Sequence, residues 1–291
     1  MRGLLVMNEF GQTESFVLLR QALLDAAARV DMELVLRSNA QLPFDCSRGL
    51  PLFSPAGFDF CLFWDKDALL GQQLEGLGLR LFNPIRAIET ADDKARTHLC
   101  LARHGLPQPR TIPAPLTFKG LGYSRLDFLD QAIGYLGLPM VIKECRGSFG
   151  WQVYLAKTRD DAASILIQHA PSPMLLQEFV AASAGEDIRI YVVGGRPIAA
   201  IKRHNEQDFR ANVNSGGVAA AYRPTRLEAA LACRAAEALG LDFAGVDLLL
   251  GQEGPLLCEV NSNAHFRSLS SCTGVDVAGA ILSHIRGIVS R

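Results

Sequence analysis

The stretch that most constrains this chain runs from Asp242 to Asn263, DFAGVDLLLGQEGPLLCEVNSN. Two runs rich in Val and Leu flank Gly251-Gln252-Glu253-Gly254-Pro255, and apolar segments around a glycine-bearing loop predict a β-hairpin. Asp247, Glu259 and Asn261 interrupt those runs at places where a plain core hairpin has no use for polar groups. With a three-residue loop from Gln252 to Gly254, Gly251 pairs with Pro255. Counting outward then sets Asp247 opposite Glu259, with Cβ atoms roughly 4.5–5.5 Å apart. By the two-residue period of a strand Asn261 shares the face of Glu259, while Cys258 and Val260 point to the other side. Two carboxylates so close repel unless one keeps its proton or a cation sits between them. Oxygen ligands suit a hard cation, and Mg²⁺ takes one or two carboxylates and leaves its other positions to water and substrate phosphates. The hairpin is therefore expected to hold Mg²⁺ and a nucleotide; an ordinary polar surface hairpin is the alternative.

A chain of 291 residues, 49% hydrophobic, has material for two or three domain-sized units. Twenty-nine basic and thirty acidic residues leave a net charge of −1, which supplies no global field to recruit nucleic acid or an anionic membrane. Cys46, Cys61, Cys100, Cys145, Cys233, Cys258 and Cys272 form no C-x-x-C pair, and several lie in apolar runs where a reduced thiol behaves as a small hydrophobe. With no leader pattern and no run of about 20 apolar residues, a cytoplasmic location is expected, without nucleic-acid or membrane partners.

Ahead of the hairpin, Gly3–Met7, Met32–Leu36, Phe58–Trp64 and Arg80–Phe82 read as strands alternating with helices at Ser15–Ala28 and Asp67–Leu77, a small α/β unit with a parallel sheet. It lacks G-x-G-x-x-G after the first strand, so a dinucleotide fingerprint is absent. Pro84 to Gly105 reads as helix, with Asp92 and Asp93 in the first turn of ADDKARTHLCLARHG and Gly105 as its stop; Lys94, read alone, is a solvated lysine. A loop-rich stretch leads to a helix through Leu136. LPMVIKECRGSFGWQVYLAK then reads as strand, glycine loop, strand, and Lys143 beside Gly147, Ser148 and Gly150 fits an anion. A plain hairpin turn would look similar. After a helix from Thr158 to Gln168, the strand Met174–Val180 offers backbone groups and Glu178 to a purine. Asp187–Val193 and Pro197–Lys202 read as a hairpin about Gly194-Gly195, followed by Lys202, Arg203, Arg210, Asn212 and Asn214 before Gly216-Gly217. Thr225 and Glu228 form a capping box for a helix ending at Gly240, and Val275–Ile288 reads as the last helix.

In order, Lys94, Lys143 with GSFG, QEFV, GEDIR, DFRANVNSGG, GVDLL and EVNSN resemble the ATP-grasp superfamily, most closely its RimK-type glutamate ligase branch, over roughly Lys94 to Asn263. The resemblance implies a mixed α/β and α+β fold. An N-terminal pre-ATP-grasp unit (1–89) would precede a central unit with a glycine-loop lid (90–182) and a C-terminal unit with the Mg site (183–291), the last two clasping ATP. Carried over by position, Lys94, Lys143, Arg210 and Asn212 would contact nucleotide phosphates, with Gly147, Ser148 and Gly150 in the lid. Gln177, Glu178, Phe179 and Val180 would border the adenine, and Asp187 the ribose. Asp247, Glu259 and Asn261 match the family's Mg²⁺ ligands, Glu259 bridging two ions for which Mn²⁺ can substitute. Arg210, Lys202 and Arg203 would serve the transferring phosphoryl group.

The implied activity is ATP-dependent ligation of a carboxylate to an amine through an acyl phosphate. The substrates would be small molecules, peptides or protein tails, and a homo-oligomer is compatible with the sequence. The alternatives are an ATP-grasp kinase acting on a hydroxyl and a non-catalytic ATP-binding module. Phosphoryl transfer asks for positioning and charge neutralisation, which suits cations and metal ligands rather than a nucleophilic Ser or Cys. Trp151-Gln152 stands where the family often has a third glycine, and Asn214-Ser215 where it has a basic residue. SNAHFRSLSS follows EVN in place of a Pro-containing turn. His265 and Arg267 are then either substrate-carboxylate contacts or a surface basic pair.

Overall fold

In the computed structural model, which describes residues 1–147, 150–211 and 216–290, apolar runs among the described residues build three main sheets and one two-stranded hairpin. The N-terminal unit contains β1 (Arg2–Met7), α1 (Glu14–Arg29), β2 (Glu33–Ser38), a small hairpin of β3 (Phe44–Asp45) and β4 (Leu50–Pro51), β5 (Phe60–Trp64), α2 (Ala68–Gly76) and β6 (Leu81–Phe82). Its four main strands run parallel in the order β2-β1-β5-β6. The α/β expectation holds here because β1 and β5 are buried on both faces and read as continuous apolar runs.

The helix expected from Pro84 to Gly105 is two helices, α3 (Ile85–Ala91) and α4 (Lys94–Arg103). Asp93 is extended, and its carboxylate accepts the N–H groups of Ala95 and Arg96 at 3.0 and 3.1 Å, so it caps α4 instead of lying in a first turn. That break makes Lys94 the first residue of a new helix.

The central sheet is antiparallel in the order β7-β10-β8-β9. Its strands are β7 (Thr111–Pro113), β8 (Met140–Glu144), β9 (Val153–Ala156) and β10 (Met174–Glu178), backed by α5 (Asp127–Leu136) and α6 (Arg159–His169). β7 falls in the stretch expected to be loop, because three residues ending in proline give no readable period. The third sheet, order β13-β12-β11-β14-β15, comprises β11 (Glu186–Val193), β12 (Arg196–His204), β13 (Val218–Ala221), β14 (Phe243–Gly251) and β15 (Gly254–Asn261). α7 (Arg226–Leu239) covers one face, starting at the expected Thr225–Glu228 capping box and stopping at Gly240 with φ 71°. α8 (Arg267–Thr273), which the sequence reading left out, and α9 (Val277–Val289) follow.

The site hairpin differs in its turn. Gly251 pairs with Gly254, leaving a two-residue turn, and a bulge between Asp247 and Leu248 restores the pairing of Asp247 with Glu259. Two one-residue errors cancel for that pair. They do not cancel for Cys258, which the bulge turns towards the cleft instead of away from it.

The central sheet keeps its own core, including Leu129, Met140, Leu166 and Leu176. The N-terminal sheet shares one with the last sheet and α9: Leu5, Leu19, Phe60 and Trp64 pack in one cluster with Tyr191, Phe243, Ile281 and Ile285. Trp64 stacks on Phe243 with ring centroids 5.4 Å apart. Asn83, fully buried, donates to the carbonyls of Phe243 and Ser262 (both 2.9 Å) and accepts from the N–H groups of Asp242 (2.7 Å) and Phe243 (3.1 Å). One amide, just after β6, thus pins the start of β14 and the residue that follows β15. Among the described residues no single helix is long and apolar enough to cross a membrane.

Asn83→Ala strips four backbone groups of a partner, each worth roughly 1–3 kcal/mol when left buried and unpaired. The expected outcome is a marked fall in the urea-denaturation midpoint; an unchanged midpoint would show that the amide is not needed.

Candidate active site

Alternation along β11, β12 and β14 brings Asp187, Arg189, Arg203 and Asp247 to one face. Arg203 forms two bonds of 2.6 Å to Asp187 and one ion pair of 3.0 Å to Asp247, and Arg189 grips Asp247 with two more bonds of 2.6 Å. Asp247 is 4% exposed and Arg203 5%. Burial alone would raise the Asp247 pKa, but Arg189 and Arg203 together pull it below the usual carboxylate range. Asp187, also buried, with Arg203 against it and Asp247 nearby, is pushed up.

The expected pair of facing acids is therefore present, but guanidinium groups already compensate Asp247. Its oxygens accept three N–H groups, leaving about one of a carboxylate's four lone-pair sites. Glu259 is freer, meeting Lys94 Nζ at 3.3 Å. Asn261 lies two residues on, and its Nδ2 is buried without a partner. Among the described residues no cluster of three His, Cys, Asp or Glu forms a closed metal site. An oxygen pair from Glu259 and Asn261 does fit a cation completed by water and phosphate.

Two cavities meet at this point. One, about 840 Å³ counted out to solvent, lies between the central and last sheets, walled by Lys143, Phe179, Val180, Arg210, Asp247 and Cys258. The other, about 2040 Å³ on the same count, opens towards the N-terminal sheet between Trp64, Asp65, Arg189, Asn263, His265 and Arg267. Lys94, Gly147 and Glu259 line both. Lys94 Nζ donates to the Gly147 carbonyl at 3.0 Å, so the lysine that looks solvated in the sequence is 11% exposed and ties α4 to the glycine loop.

Lys143 stands at the end of a buried relay. Its Nζ donates to Gln177 Oε1 at 2.8 Å and lies 3.7 Å from Cys258 Sγ. Gln177 Nε2 reaches His98 Nε2 at 3.1 Å and Thr111 Oγ1 at 2.9 Å, and His98 Nδ1 reaches Gln108 Oε1 at 2.6 Å. Since Gln177 donates to Nε2, the network assigns the His98 proton to Nδ1. Burial pushes His98 down to about 4, so the ring is neutral in neutral solution.

Arg210 chelates Asp208 and donates to the Gly150 carbonyl at 2.8 Å, on the glycine loop. Glu178 lines the first cavity with Gln177, Phe179 and Val180, and Arg110 holds its carboxylate at 2.6 Å. Asp187 lines the same cavity, and each of its oxygens accepts one Arg203 N–H, which leaves about two of its four lone-pair sites. Lys202 is not brought to the cleft; it pairs with Glu186 at 2.8 Å on the opposite side of β12 from Arg203 and lines neither cavity. Ser148, Asn212, Asn214 and Ser215 lie outside the described residues. His265, beside Ser15 at 3.1 Å and edge-on to Phe16, is half-buried and lines the second chamber, which Arg267, itself exposed, also lines.

Arg189, His98 and Cys258 were missed as site residues. Arg189 was legible in principle, two residues beyond Asp187 and so on the same strand face; the others depend on packing and on the bulge.

Facing antiparallel sheets thus close around a lysine-lined cleft, with acids on the last hairpin. A RimK domain ATP-grasp protein of Sphaerobacter thermophilus shares the fold at a TM-score of 0.73 and 24% identity, over 98% of this chain and 99% of that one. The ATP-grasp ligase PsnB, solved with a minimal precursor, Mg and ADP, matches at 0.72 and 17%, over 99% and 97%. The profile described as RimK-like ATP-grasp domain matches residues 91–285. A probable alpha-L-glutamate ligase of Maridesulfovibrio salexigens is 40% identical over 217 residues, 74% of this chain and 69% of that protein. The chain belongs to the RimK-like ATP-grasp family and is an ATP-dependent ligase forming carbon–nitrogen bonds.

For His98, whose folded pKa lies below its ordinary 6.5, the unfolded chain takes up a proton first as pH falls. Its contribution is constant above about pH 6.5 and erodes towards pH 4. Wild type should lose stability across that window more steeply than His98→Gln; parallel pH profiles would show that the ring is not held neutral.

Proposed function

We propose that the chain uses ATP and Mg²⁺ to convert a carboxylate into an acyl phosphate, which an amine then attacks to give an amide, ADP and phosphate. The observation that carries this reading is the junction at Lys94, Gly147 and Glu259, through which the lysine-lined chamber communicates with the chamber under the N-terminal sheet. A phosphoryl group held on one side meets an acceptor on the other. When bound, Mg·ATP supplies the phosphoryl group and the counter-charge for its transfer.

The residues divide the work. Lys143, aimed by Gln177, and Lys94 neutralise phosphate oxygens. Arg210 holds the glycine loop over them, and the Phe179–Val180 backbone receives the purine. Glu259 and Asn261, with the remaining lone-pair site of Asp247, would hold one or two Mg²⁺ ions, for which Mn²⁺ is the substitute to try. Arg203, reaching the second chamber, stabilises charge on the transferring group. We take 1–89, 90–182 and 183–291 as the three working units. L-Glutamate is the first substrate to test, because the relatives are named probable alpha-L-glutamate ligases. Peptides come next, because PsnB was solved with a precursor. All seven cysteines are free, which supports a reducing compartment and a cytoplasmic reading.

Incubation with ATP, Mg²⁺, candidate acids and hydroxylamine should yield hydroxamate and ADP. A stable phosphate ester without hydroxamate would instead indicate a kinase, and ATP binding without turnover a binding module. Glu259→Gln should lower ADP release about 10²-fold or more; near-normal turnover removes Glu259 from the metal role. Lys143→Ala should raise the KM for ATP roughly ten- to hundredfold, the worth of a charge-assisted hydrogen bond.

A further inference from the structure

Asp65 and Asn263 line the second chamber, and each carries a buried oxygen without a hydrogen-bond donor. Asp65, 5% exposed, follows β5, as Asn8 follows β1. In the order β2-β1-β5-β6 the chain leaves β1 for opposite edges of the sheet, so these residues stand at the switch point, at the carboxyl ends of parallel strands. Open α/β sheets bind their ligands in that crevice.

Asp65 Oδ1 accepts the N–H groups of Lys66 at 2.6 Å and Asp67 at 3.0 Å, while Oδ2 accepts nothing. Asn8 stands beside the carboxyl without completing that bond, and burial raises the carboxyl pKa against the pull of its neighbours. Asn263 Nδ2 donates to the Asp65 carbonyl at 2.9 Å. Flipping that amide would set oxygen against oxygen, so Oδ1 is fixed as the orphan. Folded proteins seldom leave buried acceptors unpaired, and each here awaits a donor. A primary ammonium brings three N–H donors and the charge that a buried carboxylate lacks. Arg267 lines the same chamber and suits a carboxylate.

We propose that Asp65 Oδ2 and Asn263 Oδ1 form the receptor for the ammonium group of an amino-acid substrate whose carboxylate faces Arg267. This rests on the ligase reading and narrows it: the substrate of this chamber is a zwitterion, not a plain acid.

The test is calorimetric titration of the full chain, loaded with Mg·ADP, using L-glutamate against glutarate, L-aspartate against succinate and L-alanine against propionate. At least one amino acid should bind roughly ten- to hundredfold tighter than its des-amino partner. Asp65→Asn, which keeps the oxygen serving Lys66 and Asp67, should erase that preference, and Asn263→Ala should reduce it, with Mg·ADP binding retained in both as the sign of an intact cleft. No preference in wild type, whether both members bind equally or neither binds, overturns the proposal, as does a preference that survives Asp65→Asn. If KCl or MgCl₂ at constant ionic strength abolishes the preference by competition, the receptor is a metal site and the ammonium assignment fails. ADP release is scored separately: turnover without amino-group preference sinks this inference alone, and no turnover with any acid sinks the ligase mechanism.

Discussion

Two buried acids interleaved with two arginines on the last sheet are the constraint on which the site depends. Any one of these charges taken out of water by itself would cost several kcal/mol, and the set is tolerable because each carboxylate is met by guanidinium N–H groups at 2.6–3.0 Å. The lattice spans β12, β11 and β14, so it fixes three strands relative to one another as well as the side chains. It also divides the labour among the oxygens of the hairpin. Asp247 is largely committed to the fold, and Glu259 and Asn261, one strand further on, remain for a ligand.

Neutral polar groups hold the rest with the same economy. Asn83 uses all four of its hydrogen-bonding positions on the site hairpin, and Gln177 spans from Lys143 to His98 and Thr111. Each sits where a mismatch would leave a buried group unpaired, which makes the geometry specific as well as stable. Lys94 then joins the parts. It heads a helix created by the Asp93 cap and reaches the glycine loop of the central unit and the acid of the last one.

The core arrangement explains why the cleft falls where it does. The first and last units share one apolar cluster through Trp64, Phe243 and α9, whereas the central sheet closes a core of its own. The seam with least shared apolar packing is the one that holds the first cavity, and both Lys94 and Lys143 line it. The second chamber belongs instead to the shared side, where the ends of β1 and β5 meet the residues after β15.

Periodicity made the parallel N-terminal unit and the capped α7 legible, because strand alternation and capping act over a few residues, whereas the Asp247–Glu259 pair came out right only because a turn counted one residue too long offset an unseen bulge. The family resemblance added the order of the motifs and the class of chemistry. What the sequence could not supply was which charges meet. Lys94 was placed beside Glu259 by a helix break and a long chain reversal, and Lys202 was turned away by the parity of its strand. Glu178 was claimed by Arg110, just ahead of β7, and Asp187 by Arg203 of β12, while Cys258 was turned inward by one extra residue in a ladder. Local pattern decides which elements form; the pairing of buried polar groups is a three-dimensional matter, because each must find its partner among residues that sequence distance does not order.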